Sequence, residues 1–170
     1  MSGSENESRR AWLAEGNARQ ARKRVATKAL IRDPAGRVLL VNPTYKEHWD
    51  LPGGMAEANE SPTEALRREI LEELNLRLTV GRLLTLDWVG PHGPWDDQLT
   101  FLFDGGTLTP EETATIIVSD TEISAFDFYT LPDATQRLRA DIAERLQRAL
   151  TSSQIGQTDY SEMPNPGQVE

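Results

Sequence analysis

Between Gly53 and Leu76 the chain reads GGMAEANESPTEALRREILEELNL, and three of its glutamates, Glu69, Glu72 and Glu73, fall three and four residues apart. On a helix, side chains at those spacings face one another, and like charges there cost roughly 0.2–0.5 kcal/mol per pair. The negative end of the helix macrodipole adds about 0.3–1 kcal/mol for each close anion. Something should compensate for these penalties, and a divalent cation is the leading candidate. Ser61-Pro62-Thr63-Glu64 supplies a capping serine, a proline at the first helical position and a glutamate three residues past the cap. Leu66, Ile70 and Leu74 then follow one apolar stripe, flanked by Leu71, while Ala65, Glu69, Glu72 and Glu73 share another face. Asn75 stands where the chain must leave the helix, and asparagine is the usual substitute for glycine in a left-handed cap. Arg68 lies beside the acidic face, within reach of Glu64 and Glu72.

Gly54, Glu60, Arg68-Glu69-Ile70, Glu72-Glu73 and Asn75-Leu76, at these spacings, resemble the Nudix box. The late glycine of that pattern is Asn75 here, and Asn59 stands where many members carry glycine before the first glutamate. Both positions call for positive φ, which asparagine tolerates. Trp49, Leu51, Pro52, Gly53 and Gly54 also match a habit of the family just before the box. The resemblance implies an α/β/α sandwich with a mixed sheet and a loop-helix-loop catalytic motif. It implies hydrolysis of a nucleoside diphosphate linked to another group, releasing a nucleotide and a phosphorylated group. It makes Glu69, Glu72, Glu73 and the Gly53 carbonyl ligands of Mg²⁺ or Mn²⁺, with Arg68 orienting a glutamate. Glu60 is then a holder of metal-bound water or a brace of the loop. The chemistry explains the carboxylates independently: a diphosphate repels an anionic nucleophile unless divalent cations bridge it to the protein, and hard cations take oxygen ligands.

The general base is not placed by the box. Glu122, just before ISAFDFY, is the favoured later candidate, with Glu111, Glu112, Asp96 and Asp97 as competitors. Substrate choice is open among ADP-ribose, nucleotide sugars, nucleoside triphosphates and dinucleoside polyphosphates. Pro91, fifteen residues past Leu76, resembles a marker of ADP-ribose hydrolysis, and Tyr45, Trp88, His92 and Trp95 are candidates to stack a base or hydrogen-bond a ribose. A nucleotide-binding regulatory module without turnover is the alternative, and an interaction protein in which the box is only structural is a third reading.

Composition narrows the classes further. The 170-residue chain carries a net charge of −9, which argues against a sequence-independent grip on nucleic acid. It has no cysteine, so disulfides, thiolate metal sites and a cysteine nucleophile are excluded. Within the superfamily, that disfavours the isopentenyl-diphosphate isomerases, known for an active-site cysteine. No apolar run approaches a membrane span and no signal-peptide pattern opens the chain, so a cytoplasmic location is the default expectation.

The expected organisation is a polar, helical arm over 1–23, a domain over 24–150 and a weakly ordered polar tail over 151–170, with the arm as a route to a homodimer. Within the domain, Val25 to Ile31 and Arg37 to Val41 form a hairpin about the Asp33-Pro34-Ala35-Gly36 turn. Leu76 to Val89, Leu99 to Phe103, Ile116 to Val118 and Ile123 to Tyr129 are the further extended segments, and Leu131 to Leu150 is a closing amphipathic helix.

Overall fold

The structure, a computed structural model, describes residues 3–118 and 121–164. Six strands, β1 (Arg24–Arg32), β2 (Val38–Pro43), β3 (Leu83–Val89), β4 (Gln98–Thr107), β5 (Ile123–Tyr129) and β6 (Asp159–Met163), form one sheet in the order β5-β2-β1-β4-β3-β6. The β1–β4 and β3–β6 pairs are parallel and the others antiparallel, so the sheet is mixed. Five helices accompany it: α1 (Gly3–Ala18), α2 (Pro62–Leu74), α3 (Pro110–Ala114), α4 (Leu131–Arg137) and α5 (Ala140–Ile155).

Strand residues alternate between the two faces, and both faces are covered. Leu66, Ile70 and Leu74 of α2 pack with Ala29, Ile31, Leu39 and Val41 on one side. Leu138, Ile142, Leu146 and Ala149 pack with Leu30, Val38, Leu40 and Leu102 on the other. This is the expected α/β/α sandwich. The arm is helical as α1, with Trp12 and Leu13 largely exposed.

β1 and β2 leave the Asp33–Gly36 turn as antiparallel neighbours, but their direct pairing is confined to Arg32 and Val38. Beyond that point they part, and residues 50–55 enter between them. Asp50 exchanges both backbone hydrogen bonds with Val41, while Ala29 and Thr27 donate to the carbonyls of Pro52 and Gly54. The expected hairpin is therefore a split one, with the loop that precedes α2 wedged into the gap.

Four other expectations are corrected. The extended segment from Leu76 joins the sheet only at Leu83. Leu76, Leu78 and Val80 pack against the core without strand pairing, because Asn75, at φ 52°, turns the chain out of α2 beneath the sheet. Ile116 to Val118 is not a strand: Ile117 donates its N–H to the Leu74 carbonyl at 3.1 Å and so satisfies the end of α2. The helix before it, α3, opens on Thr109-Pro110-Glu111-Glu112, a capping box of the same kind as the one opening α2. The closing helix is two helices, broken where Leu138 and Arg139 are extended and Trp49 donates to the Arg137 carbonyl.

The tail after Thr151 is the fourth correction. It completes α5 and then returns as β6 along the edge of β3, while residues 165–170 lie outside the described residues. Charge holds this edge. Asp87 on β3, 2% exposed, takes Arg145 and Arg148 of α5, and Arg148 also takes Asp159 of β6. Removing one member of such a buried network leaves uncompensated charge, which costs about 3–5 kcal/mol. Asp87→Ala is expected to lower the unfolding free energy by about that amount in urea titration; an unchanged midpoint would show that the network is not holding the edge.

Candidate active site

The wedged loop and α2 meet at Gly53 and Gly54. Gly53 has φ 121°, and a Cβ there would lie 2.3 Å from the Thr27 carbonyl oxygen. Its N–H donates to Glu73 Oε2 at 2.9 Å. A Cβ on Gly54 would lie 2.4 Å from the carboxyl group of Glu69. The two glycines thus let the backbone pass close enough to receive two carboxylates from one helix face.

Arg68 organises the rest. Its guanidinium grips Glu60 with two hydrogen bonds of 3.0 and 2.9 Å, and reaches Glu69 at 2.9 Å, Glu72 at 3.1 Å and the Met55 carbonyl at 3.0 Å. Glu64 is not among these partners, because its carboxylate accepts from the Ser61 hydroxyl and N–H to complete the helix cap. Besides Arg68, Glu60 accepts from the Glu57 N–H, which ties it to the loop. Asn59 has φ 64°, in keeping with the expectation for that position.

The carboxylates are electrostatically distinct. Hydrogen bonding to Arg68 holds Glu60 below its ordinary value. Burial pushes Glu69 up despite Arg68 beside it. Burial pushes Glu73 up to about 7, offset in part by the Lys28 charge and the Gly53 N–H and reinforced by Glu69 and Asp50. Burial also acts on Asp50, but Lys28 and Lys46 outweigh it and keep that carboxyl low. In both Glu69 and Glu73, desolvation of the charged form outweighs the partners it has.

A cavity of about 390 Å³ opens beside the diglycine, lined among others by Arg24, Lys28, Tyr45, His92, Trp95 and Gln98. Arg24 lies over the Trp95 ring, 4.6 Å from its centroid. His92 and Trp95 exchange backbone hydrogen bonds across a tight turn, which holds both side chains at the rim. Trp88 is not part of this wall; its indole N–H donates to Asp97 at 2.7 Å.

Glu60, Arg68, Glu69, Glu72, Glu73 and Gly53 therefore come together as one constellation. Glu122 is exposed at the start of β5, its carbonyl accepting from Thr44, and its charge acts with that of Glu73 on the Tyr45 phenol. Two of the four competing acids are committed elsewhere: Asp97 to Trp88 and Lys23, and Glu112 to the cap of α3. Among the described residues no three Asp, Glu or His side chains are assembled as a ready metal cluster, since Arg68 holds Glu69 and Glu72 and Gly53 holds Glu73. The donor set still fits a hard divalent cation, because it is all oxygen and two of its carboxylates are pushed up by burial. Sequence reasoning missed Lys28 and Asp50. The available signal was a lysine in the middle of the apolar run VATKALI and an aspartate next to Leu-Pro-Gly-Gly.

A sheet between helices, with carboxylates gathered from a loop-helix-loop motif, defines a recognisable class. The sequence profile of the NUDIX domain matches residues 22–150, and the chain belongs to the Nudix family. Among curated proteins it is similar to an RNA pyrophosphohydrolase of Halorhodospira halophila, 43% identical over 47 residues, covering 28% of this chain and 26% of that one. It is also similar to diphosphoinositol polyphosphate phosphohydrolase 2 of Rattus norvegicus, 38% identical over 64 residues, covering 37% and 36%. The chain thus spans about a quarter to a third of the length of these relatives. Among solved structures, a UDP-X diphosphatase superposes with a TM-score of 0.70 at 21% identity, covering 91% of this chain and 74% of the other. A MutT protein of Methanosarcina mazei Go1 superposes with a TM-score of 0.62 at 24% identity, covering 76% and 97%. At these identities the structures show the fold. No helix among the described residues is long and apolar enough to cross a membrane.

The raised Glu73 gives a pH signature in the metal-free protein. Its folded value of about 7 exceeds the ordinary 4.5, so the folded state holds the proton more tightly. The resulting stability is fully present below 4.5 and is lost as pH rises through about 7. Relative to wild type, Glu73→Gln is expected to gain stability between pH 4 and pH 8, by on the order of 3 kcal/mol in urea titrations with chelator present. A difference that stays flat with pH would refute the assignment.

Proposed function

We propose that this chain is a metal-dependent hydrolase that cleaves the diphosphate bond of a nucleoside diphosphate linked to another group. The observation that carries this reading is the convergence of the Glu69 and Glu73 carboxyls on Gly53 and Gly54 beside an open cavity. The similar proteins agree in kind, since pyrophosphohydrolase and diphosphatase are names for phosphoanhydride cleavage.

In this reading Glu69, Glu72, Glu73 and the Gly53 carbonyl hold Mg²⁺ or Mn²⁺. The bound cation supplies charge neutralisation at the diphosphate and a more acidic water. Arg68 keeps Glu69 and Glu72 oriented through its hydrogen bonds and is itself tied down by Glu60. Glu122 accepts the proton of the attacking water as the water oxygen bonds to phosphorus and the bridging P–O bond breaks. A nucleotide and a phosphorylated group leave. The Arg24–Trp95 pair offers a face on which the base stacks, and Gln98 on the same wall offers an amide for its edge.

The test is product release from ADP-ribose, ADP-glucose, GTP, oxidised dGTP and a dinucleoside polyphosphate, with Mg²⁺ and with Mn²⁺. Metal-dependent cleavage of one class, abolished in Glu73→Gln, is the expected result. Glu122→Gln is expected to lower kcat by about 10²–10⁴-fold, as loss of a general base does, and Arg68→Ala to weaken metal affinity or activity by about 10–100-fold. Binding of nucleotide and metal with no turnover of any substrate would instead favour a regulatory module.

A further inference from the structure

Lys28 is an unusual occupant of its position. It interrupts β1 between Thr27 and Ala29, both fully buried, and its own side chain is 18% exposed. An ammonium carries three N–H donors, and here they meet the Gly53 carbonyl at 2.7 Å, the Leu51 carbonyl at 3.0 Å and Asp50 Oδ2 at 3.1 Å. Asp50 does not depend on it alone, since Lys46 lies 2.6 Å from the same oxygen and the Leu51 N–H donates at 2.7 Å. The Lys28 charge also acts on both Glu69 and Glu73. The chain has therefore placed a cation of its own among the oxygens that face the cavity, in contact with the diglycine carbonyl.

We propose that Lys28 is a resident counter-ion and positioning residue, which a divalent cation must displace from the Gly53 carbonyl as it binds. The inference rests on the metal-dependent reading above and adds a competition to it. A divalent cation and an ammonium on one carbonyl oxygen repel strongly, because charge repulsion at hydrogen-bonding distances is only weakly screened at a partly buried site. The ammonium has somewhere to go, since Lys28 also lines the cavity and a polyanionic diphosphate there would accept its donors. Until then it occupies the Gly53 carbonyl that the cation takes in the reading above. Metal and substrate binding are in this way coupled through one side chain.

The test is the Mn²⁺ dissociation constant, read from the electron paramagnetic resonance of free Mn²⁺, for wild type, Lys28→Met, Lys28→Arg and Glu73→Gln, without substrate. Lys28→Met is expected to bind about tenfold more tightly, because it removes the competing charge. Lys28→Arg, which keeps the charge, is expected to stay near wild type. A folded Lys28→Met that binds equally or more weakly overturns the inference, and it does so alone if Glu73→Gln still loses Mn²⁺. If wild type itself binds no Mn²⁺, the metal-dependent reading falls and the inference with it. A second measurement needs no methionine variant: the side-chain ¹³Cε signal of Lys28 in the full chain, assigned by its loss in Lys28→Arg, is expected to shift on adding Mg²⁺. A signal that does not move overturns the displacement.

Discussion

The fold around the site depends on the wedge of residues 50–55 between β1 and β2. Two donors of β1, the N–H groups of Thr27 and Ala29, and the backbone of Val41 on β2 are satisfied by this loop rather than by a neighbouring strand. Buried backbone groups need such partners, so the loop is as firmly held as a strand would be. It is in this held state that Gly53 takes φ 121°, with no room for a side chain against Thr27. A rigid backbone edge is thereby presented to α2.

The charge clustered on α2 is answered in two ways. Arg68 sits on the same helix and takes Glu60, Glu69 and Glu72 into one guanidinium, so the repulsion expected along this face is partly relieved within the protein. Glu73 lies beyond that reach and faces the diglycine, where the Gly53 N–H and the Lys28 charge oppose the effect of burial without cancelling it. The asymmetry between a satisfied Glu60 and an under-compensated Glu73 is produced by environment alone, since both are ordinary glutamates in the unfolded chain.

On the opposite layer, α5 is fastened to β3 by the Asp87 network and β6 closes the edge beyond it. Leu138, where α4 gives way to α5, bridges to Trp49, which itself packs edge-to-face on Tyr129, their centroids 5.2 Å apart. The break in the closing helix thus abuts the strand-like segment that leads to the diglycine, and the start of α5 joins that loop in lining the cavity.

Much of the constellation was legible from sequence because its signals are local. Capping boxes, the spacing of Glu69, Glu72 and Glu73, and asparagines at positive φ depend on residues within one or two turns of each other, and α2 forms as these dictate. The repeated signal Thr109-Pro110-Glu111-Glu112 was equally available for α3. Alternating apolar residues, by contrast, show that a segment is half-buried and not which strand it pairs with. Leu76, Leu78 and Val80 alternate and pack without pairing, and the polar Asp159–Met163 pairs because Arg148 and the edge of β3 receive it. The sequence by itself determined the helix, its acidic face and the two layers that its apolar stripes require. Only tertiary structure decided that β1 and β2 part to admit the diglycine, that Arg68 takes Glu60 rather than Glu64, and that Lys28, 25 residues from Gly53 in sequence, rests on its carbonyl. Those contacts join residues distant in the chain, and no local spacing encodes them.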